Sequence, residues 1–488
     1  MVNEKIKMKK IILFSLLAIS IFTGIILFNT VNAPNKQRKI NASALPALSD
    51  YALKHFQQAI TFQTVSYGDA AQWDSVSFIN FRRFLEITYP SVHHQLKREI
   101  ISNYSYLYTW QGKNNSLKPY ILMAHQDVVP IEESTRNQWQ FEPFGGIIKD
   151  GYICGRGTTD DKINLISILE AAEKLLKENY QPERTIYFVF GHDEELGGKQ
   201  GAQKIAALLE QRNIKAELII DEGGYVTKEK VPGISKPVAL IGTAEKGYLS
   251  IEFSVNKRGG HSSMPEAETA VDILMKAMVK LREHPFEAKF VESTINFFEF
   301  LGPEMKFPNN LAFANPVIFK SLIVKKYEKT GSGNAMIRTT FVPTIFNAGI
   351  KDNVVPTLAT AIVNFRLLPG DSSKYIFQKA KEIINDNRIV MKNLSEDRPE
   401  ATPTASAETA AFKIFDSIIR KSYSGVITTP FLMIGGTDSK HFYGVSENIF
   451  KFSPMQDPIG FHTIDERVSI ESYQHSIWFF EQLMRSCK

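Results

Sequence analysis

The sequence predicts an α/β protein: a mainly parallel sheet with helices on both faces, an inserted smaller α+β domain with an antiparallel sheet, and an N-terminal transmembrane or signal helix. Three observations carry this expectation. Short apolar runs rich in β-branched and aromatic residues alternate with amphipathic stretches, the rhythm of βαβ units. Midway, the pattern changes to strands that alternate apolar and polar residues, as a one-faced antiparallel sheet requires. Ahead of both, a cluster of lysines leads into an uncharged apolar run.

That run, Ile11–Phe28, is 18 residues long, just enough to cross a bilayer. Lys5, Lys7, Lys9 and Lys10 precede it and should stay cytoplasmic, which places the remaining chain in a periplasmic, extracellular or luminal space. Val31-Asn32-Ala33 has the small residues of a cleavage site, but Pro34 is an awkward first residue. Residues 1–33 therefore read as a membrane anchor in preference to a cleaved signal peptide, and cleavage would instead give a secreted protein. Of the 57 basic and 52 acidic residues, seven and one lie in residues 1–40, leaving 50 and 51 for the body. The basic excess is thus membrane topology, and no footprint for nucleic acid remains. Cys154 and Cys487 are too few for a disulfide framework or a zinc–thiolate site.

Residues 34–46 read as a polar linker, followed by a helix around Ala47–Ile60. Tyr120–Ala124, Thr185–Phe190 and Ala216–Ile220 are short, β-rich and bounded by polar loops, as buried strands are. Between the first two, Ile163, Ile166, Leu169, Ala172 and Leu176 recur at helical spacing over Lys162–Tyr180. These elements define the first segment of an α/β domain, residues 47–245. Tyr248–Val255 and Ala359–Leu367 alternate, and Pro265–Glu283 is amphipathic, so residues 246–370 read as an inserted lid. Residues 371–488 then complete the α/β domain with helices Ser406–Tyr423 and Ser469–Arg485 and strands Thr429–Ile434 and Ile449–Phe452.

Four polar clusters follow strands closely, where open α/β sheets build their sites. They are His125-Gln-Asp127, Gly155-Arg-Gly-Thr-Thr-Asp160-Asp161-Lys162, His192-Asp-Glu194-Glu195 and Asp221-Glu222-Gly-Gly224, and a fifth, Phe461-His462-Thr463, lies far downstream. Each alone is an ordinary solvated turn or helix entry. Together, histidines with several carboxylates and no cysteine form a ligand set for a hard or borderline divalent metal, most often zinc.

The order and spacing of these clusters resemble the M20 metallopeptidase family, in particular its branch of carboxypeptidase S and N-acyl-amino-acid hydrolases, over residues 50–485. The resemblance implies two zinc ions, with Co2+ or Mn2+ as substitutes, bound by His125, Asp160, Glu195, Asp221 and His462. Asp160 would bridge the ions, and Glu222 stands as the alternative to Asp221. It further implies Asp127 as the carboxylate orienting His125 and Glu194 as general base. From the lid, His261 in Arg-Gly-Gly-His-Ser-Ser would hold the oxyanion, while Asn353 and Arg366 would contact substrate. The activity implied is amide hydrolysis of peptides or N-acyl amino acids, with aminoacylase, dipeptidase or deacylase action on small polar substrates as the alternative. A homodimer through the lid is implied as well. A reading from another class, an inactive metal-stabilised binding protein, has no use for Glu194 and Asp127.

The charges balance on elementary grounds. Two divalent cations bring four positive charges against three from Asp160, Glu195 and Asp221, and a hydroxide would neutralise the remainder. Gly435-Gly-Thr-Asp438-Ser439 follows a strand and places Asp438 as a structural acceptor, whereas His192, His284, His441 and His475 have no motif that would make them ligands.

Overall fold

The computed structural model describes residues 2–395 and 400–487. Helix α1, Val2–Val31, contains the whole apolar run and is exposed along nearly all its length. After helical segments at Asp50–Ile60, Ser75–Thr88 and Pro90–Gln95, the catalytic domain runs through strands β1 (Lys97–Ile101), β2 (Ser105–Trp110) and β3 (Tyr120–His125), then helix α2 (Lys162–Lys177). Strand β4 (Ile186–Gly191), helix α3 (Ala202–Gln211) and strands β5 (Leu218–Asp221) and β6 (Val238–Glu245) follow. The lid begins with β7 (Gly247–Asn256) and helix α4 (Ala270–Glu283). Helices α5 (Glu292–Leu301), α6 (Asn309–Ala314) and α7 (Lys320–Tyr327) lead to β8 (Thr340–Ala348), β9 (Leu358–Leu367), α8 (Ser373–Ile384) and β10 (Ile389–Asn393). Helix α9 (Ala410–Ser422), strands β11 (Ile427–Met433) and β12 (Ile449–Lys451) and helix α10 (Ile470–Arg485) close the chain.

The main sheet runs β1-β2-β4-β3-β5-β12-β6-β11. Its centre is parallel, from β4 through β3 and β5 to β12, and β6 pairs β11 in parallel as well. The edge strands β1 and β2 are antiparallel. Every residue of β3 is buried, because α2 covers one face through Ile163, Ile166 and Leu169 while α3 covers the other through Ile205 and Leu209. A strand buried on both faces must be continuously apolar, which is why Tyr120–Ala124 shows no alternation.

The lid sheet, ordered β8-β9-β7-β10, is wholly antiparallel. Its inner face, including Leu249, Phe253, Val363 and Phe365, packs on α4 and α8. Helix α4 starts at Ala270, five residues later than the amphipathic pattern suggests, because Thr269 and Asp272 form a capping box there.

The structure draws the domain boundary differently from residues 246–370. Helix α8 and strand β10 join the lid core, so the return to the catalytic domain follows Asn393. Conversely, α5 and α7 pack Phe297, Phe298, Leu301 and Ile323 against Val238 of β6 and Ile427 of β11. An amphipathic helix shows that it covers a sheet but not which sheet.

Residues 34–46 are not a loose linker. Gln37 donates to Phe300 O at 2.9 Å and Thr428 O at 3.0 Å and accepts from buried Arg420 at 2.8 Å. Lys36 pairs with Glu299 at 2.7 Å, and Ser43 N donates to Lys421 O at 2.8 Å. Both cysteines are buried free thiols.

On α10, His475 is buried with its ring stacked on Tyr423 at 4.0 Å between centroids and its Nδ1 2.8 Å from Ser422 Oγ. Burial pushes its pKa down to about 4. A lowered histidine pKa means the folded state resists protonation, so stability present above pH 6.5 is lost as the pH falls towards 4. We expect the protein to lose about 3 kcal/mol more than His475→Gln between those pH values, measured by denaturant unfolding. Parallel losses in the two proteins would contradict this.

Candidate metal centre

Three neighbouring parallel strands deliver chemistry to one edge of the sheet. Strand β3 ends on His125, β4 precedes Glu194 and Glu195, and β5 ends on Asp221, just before Glu222. Asp160 comes from the loop ahead of α2, and His462 from the loop ahead of α10. Asp160 sits between the two imidazoles: Oδ1 lies 2.9 Å from His125 Nε2 and Oδ2 lies 2.8 Å from His462 Nε2. Glu222 Oε1 is 3.4 Å from His125 Nε2, and Glu195 Oε1 is 3.4 Å from His462 Nε2. Two ligand groups, His125–Asp160–Glu222 and Asp160–Glu195–His462, thus share one carboxylate, each with its ligand atoms within 4.8 Å of one another. Glu194 joins a third such group with His125 and Glu195.

Asp221 does not join them. Its Oδ2 accepts from Ser439 N at 2.8 Å and its Oδ1 from Glu222 N at 3.0 Å, so its carboxylate holds the glycine-rich loop while Glu222 faces the histidine. The alternation of side chains along an extended backbone sends adjacent residues opposite ways, and spacing alone could not choose between them.

Asp127 lies beside His125 and also meets the glutamate loop. His125 Nδ1 is 2.9 Å from the Asp127 backbone oxygen and 3.4 Å from its Oδ1, which leaves Nε2 free to bind a metal. The buried carboxylate itself accepts from Ser66 Oγ at 2.7 Å, Glu194 N at 3.2 Å and Glu195 N at 3.1 Å. It therefore fixes the glutamate loop against β3.

Glu466, which sequence reasoning left without a role, ties the two distant loops together. Its Oε1 accepts from Gly157 N, Thr159 N and Thr159 Oγ1 at 2.8–3.0 Å, and its Oε2 meets buried Arg156 Nη1 at 2.5 Å. Arg156 also donates to Thr463 O at 3.2 Å. Its signal in the sequence is its place four residues after His462. Asp438 lies so close to Gly191 and Gly198 that a Cβ at either would fall 2.4 Å or 1.9 Å from its carboxylate. Both glycines are required by that approach, Gly198 also by its φ of +71°.

The lid residues stand apart from this cluster. His261 is exposed, with Nδ1 2.8 Å from Ser263 Oγ, and Asn353 is exposed beside it, its backbone oxygen accepting from Ser262 N. Arg366 lies on β9 with its guanidinium 4.6 Å from the Tyr248 ring centroid and Nε bonded to Asn364. Of the histidines without a motif, His192 and His441 are buried in hydrogen bonds to Ser105 and to Gly197 O, and His284 is exposed.

The electrostatics of the cluster call for a cation. Burial and then the neighbouring charges push Glu194, Glu195 and Glu222 above the ordinary carboxylate range. Burial opposes charge on His125, but Glu222, Asp127 and Asp160 outweigh it and hold its pKa well above that of an ordinary imidazole. His462, bonded to Asp160 and Glu195, is pushed up to about 10. Glu195 Oε1 is buried without a well-formed hydrogen bond. A buried oxygen of this kind within a bridged His/carboxylate set fits two divalent cations on chemical grounds.

Comparison with known proteins places the chain in a family. The profile of peptidase family M20/M25/M40 matches residues 121–486. The chain is 39% identical to the Dictyostelium discoideum protein named Probable carboxypeptidase S-like 2, covering 99% of this chain and 95% of that one. It is 35% identical to an N-fatty-acyl-amino acid synthase/hydrolase of Xenopus tropicalis, over 96% and 94% of the two chains. The fold matches an M20 family metallo-carboxypeptidase of Sulfolobus solfataricus with a TM-score of 0.67 and 17% identity, over 90% and 99% of the chains.

Replacing Glu466 with Ala leaves Arg156 charged and buried without its partner. We expect Glu466→Ala to lower unfolding stability by about 3–5 kcal/mol in chemical denaturation, a loss well above that of an exposed glutamate such as Glu133. An unchanged midpoint would show that the two loops hold together without it.

Proposed function

Because this chain belongs to peptidase family M20/M25/M40, a hydrolase of its carboxypeptidase S-like and N-fatty-acyl-amino acid synthase/hydrolase branch, we propose that it cleaves amide bonds of peptides or N-acyl amino acids with two zinc ions. The observation that carries this reading is the Asp160 carboxylate, each oxygen facing a different histidine. The ligands are His125, Asp160 and Glu222 on one side and Asp160, Glu195 and His462 on the other, with Glu222 in place of Asp221. Cations held there would supply Lewis-acid polarisation of the carbonyl and would lower the pKa of the attacking water.

Glu194 takes the proton of that water and passes it to the leaving nitrogen. Its backbone N–H is anchored by Asp127, which keeps the carboxylate aimed while the proton moves. Both substrate classes end in a free carboxylate, and Arg366 offers a planar, two-pronged donor for it. His261 supplies an oxyanion donor once the lid, of this chain or of a second copy, swings over the site. A dimer through the lid is supported by the exposed Val342, Ile345 and Phe346 on β8, an edge strand of the lid sheet. Helix α1 anchors the body at the non-cytoplasmic face of a membrane, supported by the length and apolar character of its segment Ile6–Val31 and by its exposure.

Assays of the full, zinc-loaded chain against blocked dipeptides, short-chain acyl amino acids and fatty-acyl amino acids test the activity. Turnover of none of them would overturn the reading. Asp160→Ala should lose both metals and Glu222→Gln one, with Asp221→Asn retaining both, by elemental analysis. Glu194→Gln should keep two metals and lose about 10²–10⁴ in turnover.

His261→Ala should lower kcat by about 10²–10³ with little change in metal content. Arg366→Ala should chiefly raise KM, because it removes a contact made equally to substrate and transition state. The reverse pattern in the two variants would mean their roles are exchanged.

A further inference from the structure

Helix α1 is gripped by the body at one end. Asn29 Nδ2 donates to Asn315 Oδ1 at 2.9 Å, and Asn315 Nδ2 reaches Ile26 O at 3.3 Å and Thr30 Oγ1 at 3.2 Å. Ile26 is the residue of α1 buried against the body, beside α6. A bilayer's hydrocarbon core takes about 20 helical residues, so a span that starts after Lys10 ends near Thr30. The grip on Ile26–Thr30 therefore lies at the outer edge of the hydrocarbon.

The segment around Asn315 exposes large apolar side chains. Val317 is 86% exposed and Phe307 77%, with Leu322 at 60% and Ile318 at 41%. Val317 follows Asn315 by two residues, which keeps it within about 7 Å of the grip. The same stretch, residues 305–330, carries five lysines and one glutamate. Apolar side chains among lysines, at the height of the headgroups, are what an interfacial segment presents to an anionic lipid surface.

We propose that α6, α7 and the turn joining them are a second membrane contact: Phe307, Val317, Ile318 and Leu322 enter the headgroup–acyl boundary of the bilayer that α1 crosses, and Lys306, Lys320, Lys325 and Lys329 meet its anionic headgroups. This rests on α1 being an anchor. Two contacts, one spanning and one lying flat, fix the body's tilt, whereas a helix alone would leave it free to roll.

The test uses the full chain in phosphatidylcholine–phosphatidylglycerol nanodiscs, with single cysteines carrying an environment-sensitive fluorophore at Val317, Leu322, Ile350 and Phe14. Cys154 and Cys487 are 1% exposed and stay unlabelled. Ile350, on the lid and 97% exposed, reports bulk water. Lipid-borne nitroxides near the headgroup should quench Val317 and Leu322, nitroxides deep in the chains should quench Phe14, and aqueous iodide should quench Ile350 several-fold more than Val317. Iodide quenching of Val317 and Leu322 equal to that of Ile350, with Phe14 still quenched from within the bilayer, would overturn the proposal and spare the anchor. Loss of the deep quenching at Phe14 would remove both. Protection of Val317 from iodide without lipid quenching, relieved when each disc holds one chain, would assign the patch to a second copy and overturn the proposal.

Discussion

Concentrated negative charge at one edge of a sheet is the constraint around which this molecule is arranged. Asp160, Glu194, Glu195 and Glu222 crowd two imidazoles, and carboxylates buried together repel one another and lose hydration. Such a cluster stays assembled only if the backbone beneath it is held from every side. Asp127 holds the loop of Glu194 and Glu195, Glu466 holds those of Asp160 and His462, and Asp221 holds that of Ser439. These supporting acids are held by backbone amides, hydroxyls and a guanidinium, while the acids they support keep oxygens turned towards the shared space.

The same ties reach the lid. Glu245, the last residue of β6, pairs with buried Lys451 at 3.3 Å and accepts from Thr437 Oγ1 at 3.0 Å. Lys246, its neighbour, donates to Ala335 O at 2.9 Å and Arg338 O at 2.8 Å. The entry to the lid is thus pinned on both sides of one peptide bond. Lys246 lies in an environment that disfavours its charge, burial and Arg366 lowering its pKa to about 7, so it holds those carbonyls with a weakened positive charge near neutrality.

Much of this was legible in the sequence because it is local. Continuous apolar runs marked β3, β4 and β5, and polar clusters just after them marked the edge where the histidines and carboxylates gather. Interactions between distant segments were not legible. Nothing near Glu466 shows that its partners lie around Gly157, and nothing in Asp221-Glu222 shows which of two adjacent carboxylates a bent strand end turns inward. The domain boundary was misplaced for a related reason: α8 carries the same periodicity whether it covers the lid sheet or the main one. The run of residues 34–46 misled through composition, since polar residues that bond to carbonyls of the body look the same as polar residues facing water.

That run has a consequence for shortened forms of the chain. Gln37 and Arg38 lend oxygens to Arg420, which otherwise meets Asp416 and Thr428 in the interior. A cut at Ala33 leaves this seam intact, so a shed body and a tethered one would be the same folded object with the same site. A cut ten residues later would strip it, exposing the faces of α5 and α9 that it joins. The border between disposable leader and indispensable fold therefore runs through the first residues after the helix, well ahead of the first helix of the catalytic domain.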